Sequence, residues 1–536
     1  MTEAEGEPRF STAGAPAGRD RAASSYDEVP YSSKAIEDTH PDRLSTMAAL
    51  FGRSAPEISR CRVLELGCGR GVNLMSMATT LPEARFLGVD ASARQIEDGR
   101  RRVEAAGLGN VDLRRADLLE LRPEVGEFDY VVCHGVYSWV PRKVADRILE
   151  LIRRHLSKDG VAYVSYNTYP GWFTNQMLRE MMLFHVRALT DPRERTEEAR
   201  RLIHLLARHA KEEEGTYREV FEMLAGYLDT VDDSYFFHEY LEENNEPVFF
   251  AEFARRAREA GLEYLAPARF EAWEQSLPPE VARPLQSLSD RVVRQQYLDY
   301  LSNRRFCRSL LCRPGPAIFD EPSVDVVRGL FASARGRPES PEPDVLSTGP
   351  ESFRVESGAR LTTNRPLVKT ALVELARLAP RFLPFEELRD RVLSAGVPDT
   401  PEQADRDLPG LLLSVGRSGF VSLSKTPPVF AAEVPERPRA SALARLQAED
   451  DEPVSSLTHQ SIRAGSLDRF LLRQLDGTRD QRDLQKVLLE ALVSGSYSVT
   501  LGEGPPLTDP EALRSFAAES VPDSLRNLAA SCLLMS

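Results

Sequence analysis

Residues 63–71 read Val-Leu-Glu-Leu-Gly-Cys-Gly-Arg-Gly, an apolar strand pattern that runs into three spaced glycines and then into a helical pattern. Glycines let the backbone turn sharply and approach a bound ligand closely, where a Cβ atom would block it. The following helix supplies free N–H groups at its amino end. Alone, this G-x-G-x-G spacing indicates only a nucleotide-like ligand of some kind. It differs from the usual dinucleotide fingerprint, in which the third glycine comes one position later.

Three acidic residues sharpen that interpretation. Glu65 stands two residues before the first glycine, in the E/D-x-G-x-G-x-G form that marks class I S-adenosylmethionine (SAM)-dependent methyltransferases. Asp90 closes the next predicted strand, where an acid can hold both ribose hydroxyls. Asp117 ends a third, where such enzymes read the adenine amino group and pack the ring on the next residue, here Leu118. Each acid alone could be a helix cap or a turn residue, but jointly they indicate SAM.

The predicted cofactor is therefore SAM, and Cys68 is predicted to be a small packing residue of its loop. The predicted cofactor-binding residues are Glu65, Gly67, Cys68, Gly69, Gly71, Asp90, Ala91, Asp117, Leu118 and His134.

The chain around this loop alternates strand and helix patterns, which predicts an α/β fold with a doubly wound, Rossmann-like parallel sheet. The predicted strands are Arg62–Leu66, Arg85–Val89, Val111–Arg115, Tyr130–His134 and Val161–Tyr166. The predicted helices between them are Asn73–Thr80, Ala93–Ala106 and Val144–His155.

The loops after the fourth and fifth strands are predicted to form the side of the site that receives the methyl acceptor. They read HGVYSWVP from residue 134 and YNTYPGW from residue 166, and the first lacks the N-P-P-[YFW] motif of many amino-methylating enzymes. Methyl transfer from a sulfonium needs an in-line nucleophile in a dry site, and aromatic faces suit both a sulfonium and an ammonium. The predicted catalytic residues are His134, Tyr137, Trp139, Asn167 and Tyr169.

Two roles stay open at this stage. His134 could take the proton of a lysine acceptor, or it could be a hydrogen-bonded strand-end residue. Tyr26 and Tyr31 could fold back over the site as a lid. No metal site is expected, because H-E-x-x-H and C-x-x-C motifs are lacking and Cys307 and Cys312 are predicted on different faces of a helix.

Composition narrows the class of protein. The net charge of −14 over 536 residues argues against sequence-independent nucleic-acid binding, which needs phosphate-neutralising Lys and Arg. The six cysteines are scattered, which fits a reducing compartment, and a cytoplasmic location is predicted. The first 25 residues lack the apolar stretch of a signal peptide, and no run approaches the ~20 apolar residues of a membrane span.

Pattern changes divide the chain into predicted units. The carboxyl-terminal unit carries a hairpin pattern (352–355 with 359–362), helices at 368–378 and 385–395, and strands at 420–424 and 429–430, as in a winged helix. It could bind DNA, but the LDGTRD turn at 475–480 lacks a basic run, which favours protein packing. The units are a disordered tail (1–25), a lid and helical segment (26–57), the SAM domain (58–172), a helical middle domain (173–313), and an α+β winged-helix-like domain (314–536) with a flexible stretch at 336–350.

The chain resembles a bacterial family of SAM methyltransferases with a methyltransferase regulatory domain and a carboxyl-terminal winged helix, whose best-known members methylate lysines of an outer-membrane protein. The resemblance implies SAM as cofactor, a regulatory domain over the acceptor side and a peptide lysine as a plausible acceptor. The Pro/Glu-rich stretch 336–350 departs from the family. The matching segments are YDEVPYSSKAIEDTHPDRL (26–44), VLELGCGRGVN (63–73), FDYVVCHGVYSWVP (128–141), YVSYNTYPGW (163–172), YFFHEYLEENNEPVFFAEF (235–253), QQYLDYLSNRRFCRSLLC (295–312) and LLRQLDGTRDQRDL (471–484).

Three hypotheses remain open from the sequence. The first is an enzyme that methylates a protein side chain, with lysine favoured. The second is a methyltransferase for a small molecule, and the third is a SAM-binding regulator without turnover. A homodimer is a further open hypothesis, and the aromatic cluster 235–239 could serve either helix packing or acceptor recognition.

Overall fold

The structure is a computed structural model, and it describes residues 33–121, 123–211, 216–450, 452–500 and 505–536. The predicted tail of residues 1–25 and the predicted lid tyrosines Tyr26 and Tyr31 lie outside the described residues.

A seven-stranded sheet organises the amino-terminal half, in the order β3-β2-β1-β4-β5-β7-β6. Strands β1 to β5 pair in parallel, and β7 and β6 extend the sheet in antiparallel pairing. After its first residue, β1 is buried on both faces and is apolar except for Glu65, as expected for a central parallel strand. The strands are β1 Arg62–Leu66, β2 Arg85–Asp90, β3 Val111–Arg115, β4 Phe128–Cys133, β5 Leu156–Asn167, β6 Glu263–Pro267 and β7 Phe306–Cys312.

Helices cover both faces of this sheet, which confirms the predicted doubly wound architecture. The strand order reverses at β1, between β2 and β4, and such sheets bind ligands beyond the strand carboxyl ends at that point. The helices of this part are α1 Pro41–Leu50, α2 Val72–Thr80, α3 Ala93–Ala105, α4 Arg142–His155, α5 Trp172–His185, α6 Pro192–His209, α7 Thr216–Leu228, α8 Asp233–Phe236, α9 Phe250–Glu259, α10 Pro279–Gln286 and α11 Arg291–Leu301.

The stretch predicted as a helical middle domain contributes to two structures. Helices α5 to α8 pack around a core of their own, which includes Leu178, Ile203, Phe221 and Phe236. Residues 263–312, by contrast, supply β6 and β7 to the methyltransferase sheet. A short apolar run cannot be assigned to strand or helix by periodicity alone, and here the pairing with β5 decides.

The predicted helix around Cys307 and Cys312 is wrong, because both residues lie on β7. Cys307 pairs with Tyr166 and Cys312 with Val161 of β5. Their positions differ by an odd number along a strand, so the two thiols still face opposite sides of the sheet.

The carboxyl-terminal region comprises two modules. The first packs three helices on the sheet β12-β8-β13 and shares a core with α1 and the methyltransferase sheet. The second, residues 440–534, has a separate core. The strands are β8 Phe331–Ala334, β9 Arg337–Pro338, β10 Glu351–Arg354, β11 Arg360–Thr363, β12 Leu383–Pro384, β13 Val421–Ser424, β14 Val454–Ser455 and β15 Ser461–Ile462. The helices are α12 Pro366–Leu378, α13 Phe385–Ser394, α14 Pro401–Arg417, α15 Ala442–Gln447, α16 Ser466–Leu472, α17 Gln481–Ser494 and α18 Pro510–Ala530.

Details of the first module refine the sequence expectations. The predicted hairpin forms as β10 and β11. The predicted strand at 429–430 is wrong, since these residues have no strand conformation and β13 pairs with β8 instead. The stretch 336–350, predicted to be flexible, is anchored by the buried Lys369, whose Nζ donates to the carbonyls of Asp344, Ser347 and Gly349 at 2.6, 2.7 and 2.8 Å.

Across the described residues, no helix is both long enough and apolar enough to cross a membrane.

Candidate active site

The three glycines of the 67–71 loop occupy positions that only glycine fits. Gly67, Gly69 and Gly71 have φ of +75°, +54° and +74°, the left-handed region that side chains rarely adopt. A Cβ atom on Gly67 would lie 2.3 Å from Val136 Cγ2, and one on Gly71 would lie 2.7 Å from Leu113 Cδ2. The loop therefore packs directly against the neighbouring strands and their loops.

Hydrogen bonds tie the loop to the end of β2. The backbone N–H groups of Gly67 and Cys68 donate to the Val89 carbonyl at 2.8 and 3.1 Å. The Gly69 N–H donates to Asp90 Oδ2 at 2.9 Å, and Asp90 Oδ1 accepts the Ser92 N–H at 2.9 Å. Asp90 is thus fixed beside the loop, a position that suits the ribose role. That role stays a prediction.

Glu65 is a buried acid with one unused oxygen. Its Oε1 accepts a hydrogen bond from Asn73 Nδ2 at 2.9 Å, and no described residue donates to Oε2. Burial raises the pKa of Glu65 to about 8, against the opposing effect of the Asn73 bond and with a further rise from Asp90. A buried carboxylate needs a compensating charge, which the ammonium of the SAM methionine moiety would supply. These residues therefore fit SAM.

The other predicted cofactor residues are less constrained. Asp117 is exposed, and its Oδ1 accepts the Leu119 N–H at 2.8 Å, a turn contact that leaves its adenine role a prediction. Leu118 packs partly against the core beside β4, and Ala91 is exposed. Cys68 is buried, and burial raises the pKa of its thiol well above the usual range. A protonated, buried thiol supports the predicted packing role.

On the predicted acceptor side, His134 is a hydrogen-bonded residue at the end of a strand. Its Nδ1 lies 3.0 Å from Tyr163 Oη and 3.2 Å from Ser165 Oγ. Burial lowers the pKa of His134 to about 3, and the positive charges of Arg308 and Lys34 act in the same direction. So weakly basic an imidazole is neutral near pH 7 and is a poor acceptor for a lysine proton, which disfavours the general-base hypothesis.

The structure separates the predicted catalytic aromatics. Tyr137 is fully buried and packs edge-on against Phe253 at 5.3 Å between ring centroids, so it belongs to the core between β5 and α9. Its predicted catalytic role is therefore not supported. Trp139 is half-buried and lies edge-on to Trp172 at 6.1 Å.

Asn167 has a partner that the sequence reasoning missed. Asn167 is buried at the end of β5 and its Nδ2 donates to Asn245 Oδ1 at 3.1 Å. The Asn245 side chain is buried too, and its Nδ2 has no acceptor among the described residues. The signal in the sequence was the polar EENNE run between two aromatic clusters.

Tyr169 belongs to a surface group that we call the aromatic rim, formed by Tyr169, Phe173, Phe249 and Tyr300. Tyr169 stacks on Phe173 at 4.3 Å and lies 5.4 Å from Phe249, which meets Tyr300 at 6.1 Å. The bridge between Thr168 and Val248 brings these segments together. Phe173 is 56% exposed and Tyr300 49% exposed, so the rim is open to solvent. Phe249 and Tyr300 were missed because they come from separate segments, and Phe173 lies one residue beyond the YNTYPGW motif.

The cluster 235–239 of the middle helices favours the packing hypothesis. Phe236 and Phe237 are buried in the middle-domain core, and His238 Nδ1 lies 2.8 Å from Glu242 Oε1. Within the described parts of the chain, no group of three or more His, Cys, Asp or Glu side chains is arranged to hold a metal ion.

Comparisons with known proteins agree with this architecture. Residues 63–160 match a methyltransferase domain, residues 232–313 match a "Predicted methyltransferase regulatory domain", and residues 436–533 match "PKMT, C-terminal winged helix domain". The last match coincides with the second carboxyl-terminal module rather than with the helices and strands from which a winged helix was predicted.

Two relatives match nearly the whole chain. The uncharacterized protein RP789 of Rickettsia prowazekii (strain Madrid E) is 31% identical over 501 residues, which cover 91% of this chain and 90% of that protein. The structure of PKMT2 from Rickettsia typhi is 30% identical, has a TM-score of 0.86, and the match covers 94% of this chain and 100% of that one. A second structure of PKMT2, in complex with AdoHcy, matches with the same identity and TM-score. This chain is thus a SAM-dependent methyltransferase, and it belongs to the bacterial family that joins a class I methyltransferase domain to a methyltransferase regulatory domain and a PKMT carboxyl-terminal winged helix.

Proposed function

We propose that this enzyme transfers the methyl group of SAM to the side-chain nitrogen of a lysine in a protein or peptide acceptor. The aromatic rim carries the proposal. Pockets for small molecules enclose most of the ligand surface, whereas Phe173 and Tyr300 present their rings to solvent. An open aromatic surface suits a cationic side chain that arrives on a macromolecule.

The chemistry requires a lysine that has lost its proton. SAM supplies the methyl group: the lone pair of the lysine nitrogen forms the new N–C bond while the S–C bond breaks and its electron pair stays on sulfur. A lysine held against the rings of the aromatic rim would lose part of its hydration, which lowers the pKa of its ammonium and favours the neutral amine. Because His134 is a poor base, the proton leaves to solvent before attack. A neutral His134 also avoids repelling the sulfonium.

Residues of the chain would exclude water from the two reactants, SAM and the lysine, and would align the lysine nitrogen with the S–C bond that breaks. Glu65 and Asp90 would hold the SAM methionine and ribose groups on one side. Phe306 connects His134 with Asn167, because it pairs with Asn167 in the sheet and lies edge-on to His134 at 6.1 Å. Such positioning supplies much of the rate enhancement in a displacement reaction.

Similarity supports lysine over other acceptors. The chain resembles protein-lysine methyltransferases in its motifs, and PKMT2 of Rickettsia typhi shares its complete architecture. By contrast, trans-aconitate 2-methyltransferase of Methylobacterium nodulans, which acts on a small molecule, matches only 25% of this chain.

The test is transfer of labelled methyl groups from SAM into fractions of a bacterial lysate. We expect label in protein that yields methyl-lysine after hydrolysis and mass spectrometry, and none with the Asp90→Ala variant. Label found only in small-molecule extracts would replace this proposal with the small-molecule hypothesis. Binding of S-adenosylhomocysteine without labelling of either fraction would favour a regulator without turnover.

A further inference from the structure

The loop between β14 and β15 of the carboxyl-terminal module reaches into the methyltransferase domain. Its residue His459 is 3% exposed and is enclosed by α2 and the segment that leads to α1. His459 Nε2 lies 3.0 Å from Asn73 Oδ1, and Nδ1 lies 2.9 Å from Ser76 Oγ. The ring also packs 5.2 Å from that of His40.

The contacts of Asn73 fix the direction of these hydrogen bonds. Asn73 Nδ2 donates to Glu65 Oε1 at 2.9 Å and to Thr39 Oγ1 at 3.0 Å, so Oδ1 is its acceptor atom. His459 Nε2 must therefore carry the hydrogen. Burial, with His40 nearby, lowers the pKa of His459 well below its usual range, so the imidazole is neutral and its Nδ1 accepts from the Ser76 hydroxyl.

The same amide also holds the segment that precedes α1. The Ile36 N–H donates to Asn73 Oδ1 at 2.9 Å, and Ser461 Oγ donates to the Ala35 carbonyl at 3.0 Å. Ser33 of this segment lies close to Gly69, because a Cβ atom on Gly69 would be 3.1 Å from Ser33 Oγ. The loop and the segment thus meet beside the glycine loop.

The backbone of His459 has a conformation that needs a reason. Its φ is +59°, a left-handed value that is unfavourable for a residue with a side chain. Such residues persist where surrounding contacts over-determine them, and they concentrate at functional sites. Here the two side-chain hydrogen bonds and the His459 N–H, which donates to the Ser456 carbonyl at 3.0 Å, hold the turn.

A second contact joins the same module to the glycine loop independently. Arg70, inside the loop, forms an ion pair with Glu452 at 2.5 Å. Arg102 of α3 pairs with Asp450 at 2.9 Å, at the edge of the same interface. The carboxyl-terminal module therefore contacts the glycine loop directly at Arg70. It also reaches the buried acid Glu65 through Asn73.

We propose that His459 is a positioning residue for the cofactor: the carboxyl-terminal module is part of the SAM site and, through Asn73, holds Glu65 and the 35–39 segment in the arrangement that binds SAM. This function goes beyond the proposed acceptor and does not depend on it. Affinity for SAM and docking of the module are then coupled, and the coupling is reciprocal.

Calorimetric binding of S-adenosylhomocysteine to the full chain tests the proposal without an acceptor. His459→Ala removes the donor to Asn73, and we expect affinity to fall roughly tenfold. His459→Gln can replace the Nε2 donor, so we expect its affinity to return to within about threefold of the natural protein. The control Asp523→Asn alters an exposed carboxylate of α18 in the same module, which pairs with Arg526 and does not touch Asn73, and its affinity should not change.

Two calorimetric outcomes overturn the proposal. One is an unchanged affinity in His459→Ala. The other is an equal loss in His459→Ala and His459→Gln, because a packing role would not distinguish a restored donor.

Hydrogen–deuterium exchange on the unaltered protein covers the case in which His459→Ala fails to fold. Saturating S-adenosylhomocysteine should slow amide exchange in residues 454–462 as well as in the glycine loop, while exchange in α17 stays the same. Protection of the glycine loop with no change at 454–462 would refute the coupling.

Discussion

The cofactor loop and the aromatic rim differ in how their residues are held. The loop is half-buried to buried, three of its positions tolerate only glycine, and the N–H groups of Gly67, Cys68 and Gly69 are bonded to β2 and Asp90. The rim consists of rings from separate segments that touch one another and face solvent. Under the proposed function, the rigid backbone of the loop would hold the constant cofactor, and the open rim would receive a large acceptor.

The largest effect should come from filling the loop. Gly67→Ala places a Cβ atom 2.3 Å from Val136 and forces a side chain into φ +75°. Overpacking and left-handed strain each cost on the order of 1–3 kcal/mol, so we expect the affinity for S-adenosylhomocysteine to fall at least about thirtyfold by calorimetry. Gly107→Ala is the matched control, since Gly107 has φ +65° but open space around it. Equal affinities of the two variants would contradict the rigid-loop interpretation.

The next effect tests the acid that organises the loop. Asp90→Ala removes the acceptor of the Gly69 and Ser92 N–H groups and the predicted ribose contact. Hydrogen bonds to charged groups contribute about 1.5–3 kcal/mol, so affinity for S-adenosylhomocysteine should fall roughly ten- to a hundredfold. The control Asp112→Ala removes an exposed carboxylate of β3 that contacts Arg114. Tight binding by Asp90→Ala would show that the ribose assignment is wrong.

A third prediction concerns pH and Glu65. Its folded pKa of about 8 lies above the usual carboxyl value, so the ligand-free protein binds this proton more tightly than the unfolded chain does. Stability from Glu65 is therefore greatest below about pH 4.5 and declines as pH rises to about 8. Because an ammonium ligand prefers the ionised acid, affinity for S-adenosylhomocysteine should increase with pH over that window.

The variant Glu65→Gln isolates this titration. It should bind S-adenosylhomocysteine more weakly at pH 8, and its affinity should lose the rise with pH that the natural protein shows. Any dependence that remains in the variant reports titration of the ligand itself. Parallel pH profiles of the two proteins would exclude Glu65 as the titrating group.

The same contrast explains what the sequence could predict. The five parallel strands and the glycine loop are contiguous, strongly periodic patterns, and the structure confirms that fold. β6 and β7 were missed because their strand identity comes from long-range pairing, of β7 with β5 and of β6 with β7. An aromatic residue near a strand end can face either core or solvent, and the sequence does not show that Tyr137 packs against Phe253.

Residues that work through distant contacts left no local signal. Asn73 sits within the glycine-loop motif, but its partners Thr39 and His459 lie 34 and 386 positions away. A hydrogen bond of that separation has no periodicity that a single sequence displays. The rim has the same origin, since Phe249 and Tyr300 approach Tyr169 only after β5 and β7 pair. The roles of individual site residues stay predictions that the variants above address.

The smallest effect is expected at the rim itself. Phe173→Ala removes one ring from an exposed aromatic group, and aromatic pairs contribute about 0.5–1.5 kcal/mol beyond buried area, so KM for a lysine-containing acceptor should rise about two- to tenfold. Affinity for S-adenosylhomocysteine should stay constant, because Phe173 does not touch the loop residues. The matched control is Phe184→Ala on the same helix, since Phe184 is 68% exposed and lies outside the rim. An equal change in KM in both variants would mean that exposed rings of α5 act nonspecifically. A loss of affinity for S-adenosylhomocysteine in Phe173→Ala alone would show that the rim contributes to cofactor binding, which would contradict the contrast between a rigid loop and an open surface.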